Sequence, residues 1–200
     1  MNYEYCGMLN WTTDCPPGSR IIFKNVLEML RNKDRPKMLE VGTFAGTSIA
    51  TMMDILPNGI GMAIDNWSLE ESELQGCINY SGKSMTMSDV KNAFENNTNG
   101  RVWLTERDST LALMELLQEK QYFDFIYVDG SHTALDTVLD ITLSWMLLSS
   151  GGILGIDDYL YIPPNKTGGA PREAVDRFLT KFDGQYTILD KGYRLFLLKK

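Results

Sequence analysis

A chain of 200 residues with 44% hydrophobic content holds one domain with a single core, and no apolar run approaches the roughly 18 to 20 residues of a membrane span. Its net charge of −7 argues against the broad basic face of a nucleic-acid binder and suits a small or carbohydrate-like substrate. Cys6, Cys15 and Cys77 are an odd number at wide spacing beside a single histidine, so they form neither a CxxC pair nor a zinc site and read as reduced.

The amino terminus, MNYEYCGMLN, lacks the basic start and apolar run of a secretory signal. A cytoplasmic protein is expected, with the sequons at Asn10, Asn79, Asn96 and Asn165 unmodified. Residues 1–17 read as irregular, and apolar positions from Ser19 to Leu30 repeat at helical spacing, so residues 1–36 form a cap and helix before a core over 37–200. Lys37 to Val41 reads as a strand, Gly42 as the start of a loop, and Thr47 to Leu56 as a helix.

Ile60 to Ile64 gives a second strand ending at Asp65. Residues 66–100 are longer and more polar than a minimal crossover, with a helix at Ser88 to Asn96, and read in part as a lid or substrate-facing insertion. A third strand, Arg101 to Thr105, leads to Asp108 and a helix over Leu111 to Glu119. The fourth strand spans 124–128 and is followed by a helix from Ala134 to Leu148. Ser149 to Gly152 is predicted to be a tight return into the fifth strand, Gly152 to Ile156. A loop over Tyr159 to Ala170, a helix over Arg172 to Phe182 and an antiparallel pair, Tyr186–Leu189 and Arg194–Leu198, complete the chain. Such alternation defines an α/β, Rossmann-like fold with a mostly parallel sheet and an antiparallel edge.

Glu40-Val41-Gly42-Thr43-Phe44-Ala45-Gly46 has the form ExGxxxG between a strand and a helix. Glycine permits a sharp turn and close approach of a ligand, and the helix start offers free N–H groups. The spacing is not GxGxxG, and GxxxxGK[ST] is absent, which weighs against a dinucleotide or a nucleotide triphosphate. Asp65 stands where an acid accepts hydrogen bonds from ribose hydroxyls, and Asp108 and Ser109 stand where a third strand meets adenine. Singly, such strand-end acids are commonly helix caps or turn residues.

Two apolar runs end in acid: Phe125 to Val128 at Asp129, and Gly152 to Ile156 at Asp157 and Asp158. As neighbouring parallel strands they bring three carboxylates to one sheet edge, an oxygen-only set that selects Mg2+ or Mn2+. The plainer alternative is a loop cap and an Asx turn, but adjacent acids repel unless something positive lies between them. His132, three residues after Asp129, is placed to take a proton.

From ExGxxxG through Asp65, Asp108-Ser109, DGSH and GGILGIDDY, residues 37–198 resemble the class I S-adenosylmethionine-dependent methyltransferases. The likeness is strongest to small metal-dependent O-methyltransferases, including sugar-modifying enzymes of the macrocin and mycinamicin type. It implies a seven-stranded sheet in the order 3-2-1-4-5-7-6 with its seventh strand antiparallel. It also implies a cofactor site of Glu40, Gly42, Thr43, Phe44, Gly46, Ser48, Asp65, Asn66, Asp108, Ser109 and Asp129, a metal held by Asp129, Asp157 and Asp158, and His132 as general base.

The expected activity is metal-dependent methylation of a hydroxyl of a sugar, such as a deoxysugar like rhamnose on a glycan. The Asp157-Asp158 pair motivates the sugar, since catechol-type enzymes of this group present Asp-Asn there. Tyr159, Tyr161 and Arg172 are candidates for the acceptor pocket. The partners expected are a small-molecule or glycan acceptor and glycosyltransferase domains fused to or working beside the chain, with a homo-oligomer left open. A phenolic acceptor, a nicotinamide-dependent oxidoreductase and a non-catalytic cofactor-binding module are the competing readings.

Overall fold

The computed structural model describes residues 19–69, 85–161 and 170–200. The predicted irregular start, most of the insertion after Asn66, the Pro163-Pro164 and Gly168-Gly169 loop, the three cysteines and the sequons at Asn10, Asn79 and Asn165 lie outside these residues.

In chain order the elements are α1 (Ser19–Glu28), β1 (Lys37–Val41), α2 (Thr47–Ile55), β2 (Ile60–Asp65), α3 (Met87–Thr98), β3 (Val102–Glu106) and α4 (Ser109–Gln118). They continue with β4 (Phe123–Val128), α5 (Ala134–Leu147), β5 (Leu148–Ile156), α6 (Pro171–Lys181), β6 (Tyr186–Lys191) and β7 (Leu195–Lys199). The strands form one sheet in the order β3-β2-β1-β4-β5-β7-β6, as the resemblance implies. The first five strands run parallel, and β7 pairs antiparallel with both β5 and β6.

Successive strand residues point to opposite faces, which divides the core in two. Met38, Phe125, Tyr127 and Ile153 join α1, α2 and α3 on one face, with Phe23 edge-on to Phe125 and Tyr127. Leu39, Ile126, Val128 and Leu154 meet α4, α5 and α6 on the other. Each large side chain buried this way contributes about 1.5–3 kcal/mol. Because the central strands are covered on both faces, they read as continuous apolar runs, and their polar ends are left at the carboxyl edge.

The predicted tight return at Ser149 to Gly152 is instead part of β5, which begins at Leu148 directly after α5. Its pairing with β4 is irregular between Phe123 and Phe125, and Gly151, at φ 74°, absorbs the bend. Glycines that looked like a turn therefore mark an irregular strand, a usual site for a glycine inside an extended run. Helix starts follow their caps. Thr86 and Asp89 form a reciprocal capping box on α3, and Thr133 and Asp108 accept from backbone N–H groups at the starts of α5 and α4. No helix among the described residues is long and apolar enough to cross a membrane.

Candidate active site

The ends of β1, β2, β4 and β5 meet at one edge and are stitched together beyond the strands. Gly42 and Thr43 N–H groups donate to the Ile64 carbonyl, Asp129 N–H to Val41 and Asp157 N–H to Val128. The glycine loop and both acidic strand ends therefore share one rim.

In the loop, Glu40 is fully buried on β1 and accepts from Thr43 Oγ1 at 2.5 Å and from Ser48 Oγ. Burial pushes this carboxyl up to about 8, against the opposing pull of those hydrogen bonds. Three of the expected cofactor residues thus bond to one another and shape the turn. Gly42 has φ 82°, and a Cβ there would stand 2.2 Å from the Asp129 carbonyl oxygen and 2.4 Å from Gly130 Cα. Gly46 has φ 71° and precedes α2, against the ring of Phe94. Only glycine lets this loop pack directly on the backbone after β4.

Asp65 accepts from Phe44 N–H at 2.7 Å and from Trp67 N–H at 2.8 Å. Burial raises its pKa while these donors lower it. Asn66 accepts from Ser68 N–H and Oγ at the exposed rim. Trp67 falls at the start of the predicted insertion over residues 66–100. Here it is buried, donates from Nε1 to the Phe44 carbonyl at 3.0 Å, meets Phe94 edge-on and carries Lys91 Nζ 4.7 Å over its ring. An aromatic two residues after a strand-end acid was the available sign.

Asp108 caps α4 through Leu111 N–H at 3.1 Å. Ser109 Oγ donates to Asp140 Oδ1 at 2.7 Å, and this buried α5 carboxyl is raised by burial to about 6. Asp140 escaped sequence reasoning because a lone acid on a helix gives no sign of facing the sheet.

At the acidic edge the expected triad divides. Ligand-capable atoms of Asp129, His132 and Asp158 lie within 4.8 Å of one another. Asp157, by contrast, accepts at Oδ2 from Tyr127 OH at 2.6 Å and Arg194 Nε at 3.0 Å, and at Oδ1 from Asp158 N–H at 2.8 Å. Arg194 Nε also reaches Tyr127 OH at 2.8 Å. Asp158, at φ 54°, accepts from Tyr193 OH at Oδ1 and meets His132 Nε2 at Oδ2, both at 2.7 Å. Tyr127, Tyr193 and Arg194 were not anticipated, since the hairpin residues lie more than thirty positions from the acids they hold.

Electrostatics distinguishes the acids. Burial, followed by repulsion from Asp157 and Asp158, raises the Asp129 carboxyl well above its usual range. Burial also pushes Asp158 up, but the His132 hydrogen bond, with Tyr193 and Arg194 behind it, brings it below its ordinary value. The bond to Asp158 raises His132 against the lowering effect of burial. Two carboxylates and an imidazole at this spacing fit a divalent cation, which would relieve the repulsion at Asp129: oxygen donors suit Mg2+, and Mn2+ accepts the nitrogen as well.

Of the tentative acceptor residues, Tyr161 meets the cluster, its ring centroid 4.9 Å from that of His132. Tyr159 is buried, with its hydroxyl on Asp176 at 2.9 Å, and Arg172 lies over its ring and pairs with Asp176. Those two pack α6 against the strand end.

A protein-family profile described as a methyltransferase domain matches residues 39–159. No curated protein matches the chain. Among solved structures, it is similar to an O-methyltransferase from Bacillus cereus in complex with SAH, at 17% identity over 90% of this chain and 82% of that one, with TM-score 0.58. It is also similar to CalS11, a TDP-rhamnose 3'-O-methyltransferase of calicheamicin biosynthesis, at 14% identity, 90% and 79% coverage and TM-score 0.58. The O-methyltransferase NovP gives 17% identity, 89% and 78% coverage and TM-score 0.62.

Proposed function

Because the chain belongs to the methyltransferase domain family, we propose that it transfers a methyl group from S-adenosylmethionine to a sugar hydroxyl, with a divalent cation at the acidic edge. The observation that carries this reading is the convergence of Asp129, Asp158 and His132 beside the Gly42 loop. Cofactor loop and proton-handling groups are then neighbours, as methyl transfer to oxygen requires.

The glycine loop, from Glu40 to Ser48, supports the methionine end of the cofactor, and Asp65 supports the ribose. Ser109 is assigned to the adenine end. Asp129 and Asp158 would hold the cation, which would supply Lewis acidity to the acceptor oxygen. His132 is half exposed, and its Nε2 contact with Asp158 leaves Nδ1 to receive the hydroxyl proton. As that O–H bond breaks, its electron pair forms the new bond to the methyl carbon. The carbon–sulfur pair leaves with sulfur, giving S-adenosylhomocysteine. Most of the rate enhancement lies in alignment and in placing the proton acceptor.

Support for a sugar comes from the Asp157-Asp158 pair and from the fold shared with the TDP-rhamnose enzyme. The test is methyl transfer from labelled S-adenosylmethionine to sugar-nucleotide, glycoside and phenol acceptors, with Mg2+ or with chelator. Label is expected in sugars, and only with the cation. Transfer confined to phenols overturns the sugar, and full activity in chelator overturns the cation.

A further inference from the structure

The Tyr193–Arg194 pair lies beyond the segment matched by the family profile, residues 39–159, yet reaches back to the acidic edge. These residues follow the β6–β7 turn, where Gly192 N–H donates to the Arg194 carbonyl at 2.8 Å. Arg194 is only 6% exposed, and its guanidinium keeps its charge in any folded protein. It meets Asp157 at 3.0 Å with Tyr127 alongside, so that carboxylate has a permanent internal counter-ion. With Arg194 countering Asp157, Asp129 and Asp158 are the carboxylates left to face a cation.

Geometry agrees with charge. Every described donor to Asp157 comes from the protein interior or from the adjacent backbone, and its carboxylate is absent from the Asp129–His132–Asp158 cluster. Asp158 keeps a left-handed backbone, and Tyr193 OH holds one of its oxygens at 2.7 Å while the other faces His132. A hydroxyl donor on one carboxylate oxygen fixes the rotation of the group and leaves lone pairs for a cation.

We propose that the carboxyl-terminal hairpin presets the cation site: Arg194 withdraws Asp157 from the ligand set as an internal counter-ion, and Tyr193 aims Asp158 as a ligand. Both hairpin residues are positioning residues, acting through the aspartates they bond. The inference rests on the cation reading above and departs from three equivalent aspartate ligands.

The test is Mn2+ binding to the full chain without S-adenosylmethionine, read from the electron paramagnetic resonance of free Mn2+. S-adenosylhomocysteine affinity by calorimetry serves as the control for an intact fold. The double variant Asp157→Asn/Arg194→Gln removes both charges and is expected to bind Mn2+ within about threefold of wild type, whereas Asp158→Asn loses about a hundredfold. Tyr193→Phe, which keeps the ring, is expected to weaken Mn2+ about tenfold at unchanged S-adenosylhomocysteine affinity. A double variant that retains S-adenosylhomocysteine but loses Mn2+ as fully as Asp158→Asn makes Asp157 a ligand and overturns the proposal. If the double variant does not fold, Tyr193→Phe decides, and wild-type Mn2+ affinity there overturns it. Wild type that takes up no Mn2+ overturns the cation reading itself, and this inference with it.

Discussion

The turn from Glu40 to Ser48 is assembled from residues near in sequence, its buried acid bound by hydroxyls three and eight positions away, whereas the acidic edge unites residues from three distant stretches. Asp157 meets Tyr127 thirty positions before it and Arg194 thirty-seven after it. A local turn recovers its shape from backbone preferences, but the edge exists only when the whole sheet is in register. Gly42 joins the two, because its missing side chain lets the loop rest on the Asp129–Gly130 backbone.

The largest expected effect therefore comes from that seam. Gly42→Ala forces a left-handed alanine against the Asp129 carbonyl and should cost about 3 kcal/mol or more. Thermal unfolding should show the loss, and calorimetry should show S-adenosylhomocysteine and Mn2+ binding falling together. Retention of either ligand at wild-type affinity would show that the two regions are independent.

Asp65→Asn addresses the cofactor side alone. With one backbone donor left facing an amide, S-adenosylhomocysteine affinity should fall about tenfold, or about 1.4 kcal/mol, with Mn2+ binding unchanged. Equal losses of both ligands in equilibrium titrations would erase the division.

A third effect lies inside the loop. Glu40 is pushed from its ordinary 4.5 to about 8, so the folded chain holds that proton longer than the unfolded one. Its contribution to stability is full below about 4.5 and is lost as pH rises through about 8. Glu40→Gln removes this dependence, and the melting temperature of wild type should decline across that window relative to the variant. Parallel profiles for the two proteins would place the Glu40 proton elsewhere.

Much of the fold could be read from the residues because apolar runs, glycine breaks and caps act locally. Val128 and Ile156 ended where Asp129 and Asp157 began, and the two acids indeed share an edge. Strand order came from the resemblance. The glycines at 151 and 152 misled, because a turn and an irregular strand present the same residues. Among the site residues, spacing indicated His132 near Asp129, but could not divide the aspartates into one that faces His132 and one that faces Arg194. That division depends on β7 lying antiparallel beside β5 and bringing a hairpin turn to the edge. Asp108 shows the converse, since its helix-capping role was the plain reading of a polar residue before a helix.

The place of Arg194 in the chain also orders events during synthesis. Asp157 leaves the ribosome thirty-seven residues ahead of its counter-ion, an interval of a few seconds at about 5 to 20 residues per second. Through that interval β5 lacks β7 as a neighbour, and the acids stand together without the buried guanidinium. A nascent or truncated chain can carry every aspartate of the edge and still lack the finished site, so maturation waits on the last strand.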